Sequence, residues 1–253
     1  MAWSDQKENI ASEILKLLYE ARMIRTFYRD RPEGWTLMSG IYSPLYIQLR
    51  PLLSYPEVFR RVCEAMCHLI KNEVPQISKL VGIAMAGVPL VAGMAVAGGM
   101  PATFTRKMEK VKSVDDFRTI IQSYGEHALI EGEIDDNDNL ALVDDLVTKF
   151  DSKLIALEQV KSELARRGSK GVQCNTVVVV LDREQGGAQS AQANGLNLIS
   201  LIKFKSDGLG RLKSYMHENE WEVISDYLDS PDRYQIPERQ KELAELAKFG
   251  MKS

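Results

Sequence analysis

An apolar run, Leu140-Ala141-Leu142-Val143, ends in two adjacent acids, Asp144 and Asp145. Leu146-Val147-Thr148-Lys149-Phe150-Asp151-Ser152 then leads into a helical pattern that stops at Gly168. The spacing predicts a strand over 139–144 and a helix over 152–167. In an open α/β sheet, ligands gather at the carboxyl ends of the strands, so the acids stand where chemistry is done. Two carboxylates there can accept hydrogen bonds from vicinal ribose hydroxyls or hold a hydrated Mg²⁺. The helix start beyond them offers free N–H groups and a partial positive charge to a phosphate. The bland alternative for this segment alone is a strand end with two solvated acids.

The elements around this segment keep a βα rhythm. Strands are predicted at 80–84, 102–105, 174–181 and 196–202, and short helices at 90–97 and 188–194. The fully apolar run Val177-Val178-Val179-Val180-Leu181 suits the middle of a parallel sheet covered on both faces. Before the sheet, residues 4–28 carry apolar residues at helical spacing, 35–49 read as two short strands separated by Ser39-Gly40, and a helix begins at Pro56. Residues 106–138 are charged with few apolar anchors; Val114–Gln122 can form a short helix within a mobile loop. The tail is helical, with Trp221, Val223, Ile224, Tyr227 and Leu228 as a docking face and 238–253 as a solvated or frayed end. The expected organisation is residues 1–50, 51–205 and 206–253.

Composition narrows the class. The 253 residues are 45% hydrophobic and 26% charged, with a formal net charge of −3. That balance argues against a general nucleic-acid binder, which is usually basic. The first residues are polar and no apolar run approaches a membrane span, so neither a signal peptide nor a membrane anchor is expected. Three cysteines, Cys63, Cys67 and Cys174, make no disulfide framework. Cys63 and Cys67 read as buried thiols on one helix face, and a reducing cytoplasm is the expected setting.

The acid-pair segment resembles the phosphoribosyl diphosphate motif of type I phosphoribosyltransferases: apolar run, two acids, two apolar residues, Thr. Asp144, Asp145 and Thr148 match it. By that resemblance the acids bind ribose hydroxyls and the loop through Ser152 grips the 5-phosphate. Ser39-Gly40 through Arg50 resembles the SG…SP.Y.DLR segment of orotate phosphoribosyltransferases and brings Tyr46 and Ile47 into the substrate set. Thr105-Arg106-Lys107-Met108-Glu109-Lys110 resembles their catalytic-loop entry; Tyr124-Gly125 and Leu129–Gly132 resemble the loop exit and the strand after it. Asp182-Arg183-Glu184-Gln185-Gly186-Gly187 matches the DREQGG segment of that family. Gly82–Pro89 sits where the family places its pyrophosphate loop, with Ala86 and Gly87 as contacts.

The resemblance runs in order over about residues 34–204. It implies the type I phosphoribosyltransferase fold: α/β, a central mostly parallel sheet flanked by helices, an N-terminal hood and a helical C-terminal extension. It implies transfer of ribose 5-phosphate from phosphoribosyl diphosphate to orotate, giving orotidine 5′-phosphate and pyrophosphate in UMP biosynthesis. Arg106, Lys107 and Lys110 supply three cations for the departing oxygens, and Tyr124 stands where the family carries His or Tyr. Arg183 suits the orotate carboxylate as a bidentate partner. Taken alone, the cations read as a solvated turn and Arg183 as the partner of Glu184. Mg²⁺ is implied as cofactor, carried mainly by substrate and met through water by Asp144 or Asp145, with no direct protein ligation. A homodimer sharing the catalytic loop is implied, and orotidine 5′-phosphate decarboxylase is a candidate partner; no nucleic acid or membrane is.

Three departures stand out. The phosphate loop reads Thr148-Lys149-Phe150-Asp151-Ser152 where the family has a small residue and a glycine. Phe150 is expected to bring bulk toward the phosphate, and Asp151 to cap the helix in its place. A phosphate nest often needs φ > 0, which costs a non-glycine residue roughly 1–2 kcal/mol. Met38 replaces the usual Lys before Ser-Gly, and Gln48 stands where the pattern has Asp. Residues 111–123 carry an insertion of about a dozen residues. These changes keep open a non-catalytic nucleotide-binding relative and a transferase for another base.

Overall fold

The structure is a computed structural model that describes residues 2–37, 40–125 and 127–250. Met38 and Ser39 lie outside the described residues. The N-terminal elements are α1 Trp3–Glu20, β1 Ile24–Thr26, β2 Trp35–Thr36, β3 Tyr42–Ser43, β4 Leu45–Ile47 and α2 Pro56–Glu73. Next come β5 Lys79–Gly82, α3 Gly87–Gly98, β6 Ala102–Thr105, α4 Val114–Ile121 and β7 Ile130–Glu131. β8 Asn139–Val147, α5 Asp151–Arg167, β9 Gln173–Asp182, α6 Gly187–Ala193 and β10 Asn197–Lys203 complete the sheet region. The chain ends with α7 Leu209–Leu212, α8 Glu218–Asp229 and α9 Pro237–Gly250. Residues 1–7 with 59–203 form one compact unit, and 8–58 with 204–253 another.

The first unit holds a six-stranded sheet in the order β10-β9-β8-β5-β6-β7. All neighbours are parallel except the antiparallel edge strand β7. Successive strand residues face opposite ways, and Leu80, Val81, Ala141, Leu142, Val178 and Val179 are all fully buried. Both faces are therefore covered. One face packs Val81, Leu140, Leu142, Val177 and Val179 with Ala156, Leu157 and Val160 of α5. α3 packs against β5, β6 and β8. It starts at Gly87, three residues before the predicted start, because Pro89 in the first turn forfeits only an N–H that has no helical partner. On α2, Cys63 and Cys67 are buried and leave no room for a Cβ at Gly93 or Gly98 of α3. Burial pushes the Cys63 thiol up to about 12.

The insertion carries a helix. Ser113 and Asp116 form a reciprocal capping box at the start of α4, the arrangement that fixes the first turn of a short helix. Its single buried side chain, Phe117, is 1% exposed, and α4 packs on α5.

The second unit joins N-terminal strands to C-terminal helices. β1 pairs with β4, and β2 with β3, both antiparallel. The helical pattern predicted to continue to residue 28 stops at Glu20; Arg22 has φ 57, left-handed, and Ile24–Thr26 pairs as strand. Glu220 of α8, buried, accepts from Tyr19 Oη at 3.0 Å and from Thr26 Oγ1. Gln235 holds both backbone groups of Tyr42: Tyr42 N donates to Oε1 at 2.8 Å, and Nε2 donates to Tyr42 O at 3.1 Å. Val223, Ile224 and Tyr227 of the predicted docking face are buried. α9 is not solvated all round, since Leu243 and Ala247, one turn apart, are buried.

Phe117→Ala removes the single apolar anchor of α4. Hydrogen exchange at amides 114–121 is expected to speed up by at least tenfold. The cost of losing a buried Phe, about 3–5 kcal/mol, is expected to fall on this local helix, leaving the sheet amides protected. Unchanged exchange over α4 would show that another contact holds it.

Candidate active site

Four adjacent strands, β9, β8, β5 and β6, deliver the candidate residues to one sheet edge. Adjacent strands lie about 4.8 Å apart, so these ends span about 14 Å. β8 continues past its predicted end at Asp144 because its pairing with β9 persists, Leu146 with Leu181 and Val147 with Asp182. The acids thus lie inside the strand and are buried, Asp144 at 7% and Asp145 at 8% exposure. They are not a solvated strand end. Arg183, also buried, follows directly, its N–H donating to Val147 O at 3.0 Å. Its backbone therefore adjoins Thr148.

The 83–87 loop lies beside the acids. Ile83 N donates to Val143 O at 2.9 Å, and Gly87 sits so close to that carbonyl that no Cβ fits. Gly82 is equally confined against Gly87. Ala84 N donates to Thr105 Oγ1 at 2.9 Å, which ties this loop to the last residue of β6. Arg106 follows. Its N–H donates to Leu129 O at 2.9 Å, and its carbonyl accepts from Gln159 Nε2 at 2.8 Å. Its guanidinium Nε lies 3.5 Å from Glu131, a half-exposed pair. Lys107 and Lys110 are exposed, with Lys110 at φ 64. Tyr124 packs edge-on to His127, with ring centroids 6.1 Å apart. In the second unit, Tyr46 stacks on Trp35 at 5.7 Å, and Ile47 is buried opposite Ile24.

The altered phosphate loop does not behave as its sequence suggests. Phe150 is 1% exposed and belongs to the core cluster that includes Ala156, Leu157 and Val160 of α5. Phe150 is the residue before the helix, with φ −105, and no side chain caps α5. Asp151 is the first helical residue and is not the cap. No residue from Thr148 to Ser152 has positive φ, so the glycine conformation is not required. Thr148 is half-buried; Lys149 and Ser152 are exposed.

Lys153 is a site residue that sequence motifs did not flag. It is 3% exposed, and its Nζ donates to Asp144 Oδ2 at 2.7 Å, Leu146 O at 2.7 Å and Ser152 Oγ at 3.3 Å. The signal was a cation at the head of the apolar stripe Ala156, Leu157, Val160. The contacts of Thr105 with Ala84 and of Gln159 with Arg106 carry no motif signal, because these partners are distant in sequence. Asp145 feels burial first and the Asp144 charge second; together they push its carboxyl up to about 7, against the pull of Lys153 and the Leu146 N–H. Among the described residues no three His, Cys, Asp or Glu side chains converge on a metal position.

No family model matches the chain. The chain is 27% identical to bovine uridine 5′-monophosphate synthase over 233 residues, covering 87% of itself but 43% of that relative. It is 30% identical to the orotate phosphoribosyltransferase of Pyrobaculum islandicum over 193 residues, covering 76% of itself and 89% of the relative. The chain belongs to the orotate phosphoribosyltransferase family. The family fold is also seen in the crystal structure of orotate phosphoribosyltransferase from Aeropyrum pernix, with a TM-score of 0.61 at 21% identity over 80% of this chain and 97% of that one. Against that family, the departure at 149–151 is a change of side chains on a loop whose backbone needs no glycine.

A carboxyl that holds its proton more tightly when folded supports the fold while protonated. It loses that contribution as pH rises from about 4 to about 7. Asp145→Asn keeps the neutral shape at every pH. Its stability relative to the wild type is therefore expected to increase across that window, by at most about 4 kcal/mol. Denaturant melts at pH 4 and pH 7.5 measure this; a difference that is the same at both pH values refutes the raised Asp145 pKa.

Proposed function

We propose that this chain is an orotate phosphoribosyltransferase, transferring ribose 5-phosphate from phosphoribosyl diphosphate to N1 of orotate and releasing pyrophosphate. The observation that carries the proposal is the position of Phe150. With its ring in the core and no side-chain cap on the first N–H groups of α5, neither that ring nor a capping carboxylate competes with a sugar phosphate beside Asp144 and Asp145. The non-catalytic reading, which rests on the departures at 149–151, Met38, Gln48 and the 111–123 insertion, gains if that ring fills the cradle; the Phe150 ring lies in the core instead.

In this proposal the 5-phosphate meets the first N–H groups of α5 and the hydroxyls of Thr148 and Ser152. Asp144 and Asp145 accept from the ribose hydroxyls. The diphosphate lies along the 84–87 backbone, with Ala86 and Gly87 in contact. Arg183 takes the orotate carboxylate, and Tyr46 and Ile47 belong to the substrate segment of the second unit. As the bond from the anomeric carbon to the diphosphate oxygen breaks, its electrons stay with pyrophosphate. The N1 lone pair forms the new bond, and the N1 proton is lost. Arg106, Lys107 and Lys110, with Tyr124 across the loop, face the charge that grows on the leaving oxygens. Removing one such preorganised group costs on the order of 10²–10³ in kcat.

Mg²⁺ is part of the proposal. In it the ion is carried on the diphosphate and met through water by Asp144 or Asp145, with Asp144 also accepting from Lys153. When bound, it supplies neutralisation of the leaving group. A homodimer sharing the 106–138 loop is proposed with it, as is orotidine 5′-phosphate decarboxylase, which consumes the product, as partner. No helix among the described residues is long and apolar enough to cross a membrane, and the three cysteines are free; a cytoplasmic setting is proposed.

The test is a Mg²⁺-supplemented assay with orotate, uracil and purine bases in parallel. Orotidine 5′-phosphate is expected as the sole nucleotide product. Arg183→Ala is expected to raise the KM for orotate by about 100-fold, the scale of a lost bidentate charge-assisted contact. Turnover with another base, or none over a wide enzyme range, would reject the assignment.

A further inference from the structure

Lys153 takes no part in the reaction scheme above, yet it is the most buried cation at the site. Its three ammonium protons go to three acceptors with three different jobs. Asp144 Oδ2 belongs to the acid pair, Leu146 O to the end of β8, and Ser152 Oγ to the first turn of α5. A lysine has no fourth proton to offer. Buried this deeply, it is already fully engaged before any ligand arrives, so direct contact with a substrate oxygen is not its role.

We propose that Lys153 is a positioning residue: it locks the Asp144 carboxylate to the first turn of α5, so that ribose acceptor and phosphate cradle meet a sugar phosphate at a preset separation. This rests on the reading of that edge as the phosphoribosyl diphosphate site. The geometry gives two reasons for it. With Oδ2 occupied by Lys153 and Oδ1 accepting the Asp145 N–H at 3.0 Å, Asp144 has one orientation. And 149–151, which lack a glycine nest, are held at both ends: Phe150 is anchored in the core, and Lys153 is tied back to β8. A lock of this kind acts on binding geometry, where a displacement of about 1 Å costs up to about 100-fold.

The test measures binding and turnover together. Isothermal titration of phosphoribosyl diphosphate with Mg²⁺ into wild type, Lys153→Met, Asp144→Asn and the double variant gives Kd. Steady-state assays give kcat and both KM values. Lys153→Met is expected to weaken phosphoribosyl diphosphate binding by about 10- to 100-fold, with the KM for orotate changed by less than about twofold. Asp144→Asn/Lys153→Met removes both buried charges, and it remains informative if the single variant does not fold. It is expected to bind within about twofold of Asp144→Asn, because a residue that acts through Asp144 adds nothing once that carboxylate is gone. A Lys153→Met protein that binds as wild type while only its Tm falls overturns the inference. So does a double variant that loses a further tenfold or more. Wild type that fails to bind phosphoribosyl diphosphate overturns the family reading of the edge itself.

Discussion

Two carboxylates cannot be carried side by side into the end of a buried strand without a cation to meet them. The cost of desolvating an unpaired charge is several kcal/mol. β8 does this with Asp144 and Asp145, and the Lys153 ammonium is the cation within reach. That one contact sets the rest of the edge. It draws the first turn of α5 against β8, holds Asp144 in one orientation, and leaves Asp145 as the carboxyl of the pair whose charge is hardest to form. The phosphate loop lies between the two ends of this tether. A residue as large as Phe150 is accommodated there because its ring packs in the core and no residue from Thr148 to Ser152 has positive φ.

α5 is the element on which the site is assembled. Phe150 and Lys153 at its start hold the loop and the acid pair. One turn and a half further, Gln159 holds the carbonyl of Arg106, where the basic loop begins. Glu163 accepts the N–H of Leu129 at 3.0 Å, and Arg167 donates to Ile130 O at 3.0 Å and Gly132 O at 2.9 Å, where that loop ends. α4 docks on the same helix through Phe117. The loop that carries Arg106, Lys107 and Lys110 is thus fastened at its entry, its exit and its middle to the helix that starts at the phosphate edge. The acids lie within β8 and Arg183 directly follows β9, while Arg106, Lys107 and Lys110 lie on the loop between β6 and β7.

The second unit shows the same economy of contacts. Glu220 gathers Tyr19 and Thr26, and Gln235 pairs with the backbone of Tyr42 as a neighbouring strand would. The Tyr42–Ile47 segment is too short to be stable as an isolated pair of strands. Its order comes from C-terminal helices, so residues 204–250 are part of the framework that shapes this segment.

The fold class is legible in the sequence, and so are most residues of the candidate site. The alternation of apolar strands with helices dictates a parallel sheet, because runs such as Val177–Leu181 are stable only when both faces are covered. In such a sheet ligands gather at the strand ends, which points to Asp144, Asp145, Thr148, Arg106 and Arg183 as candidates from motif and order alone. Where side chains on irregular backbone point is settled by packing across the fold. Phe150 turned into the core, Asp151 took the first helical position, β8 ran on past its acids, and α9 found a docking stripe. Lys153, Thr105 and Gln159 became site residues through contacts across the fold. The physical reason is common to all of these. Periodicity in a sequence encodes which face of an element is buried, but a loop residue's direction and a buried charge's partner depend on what the rest of the chain brings within about 3 Å.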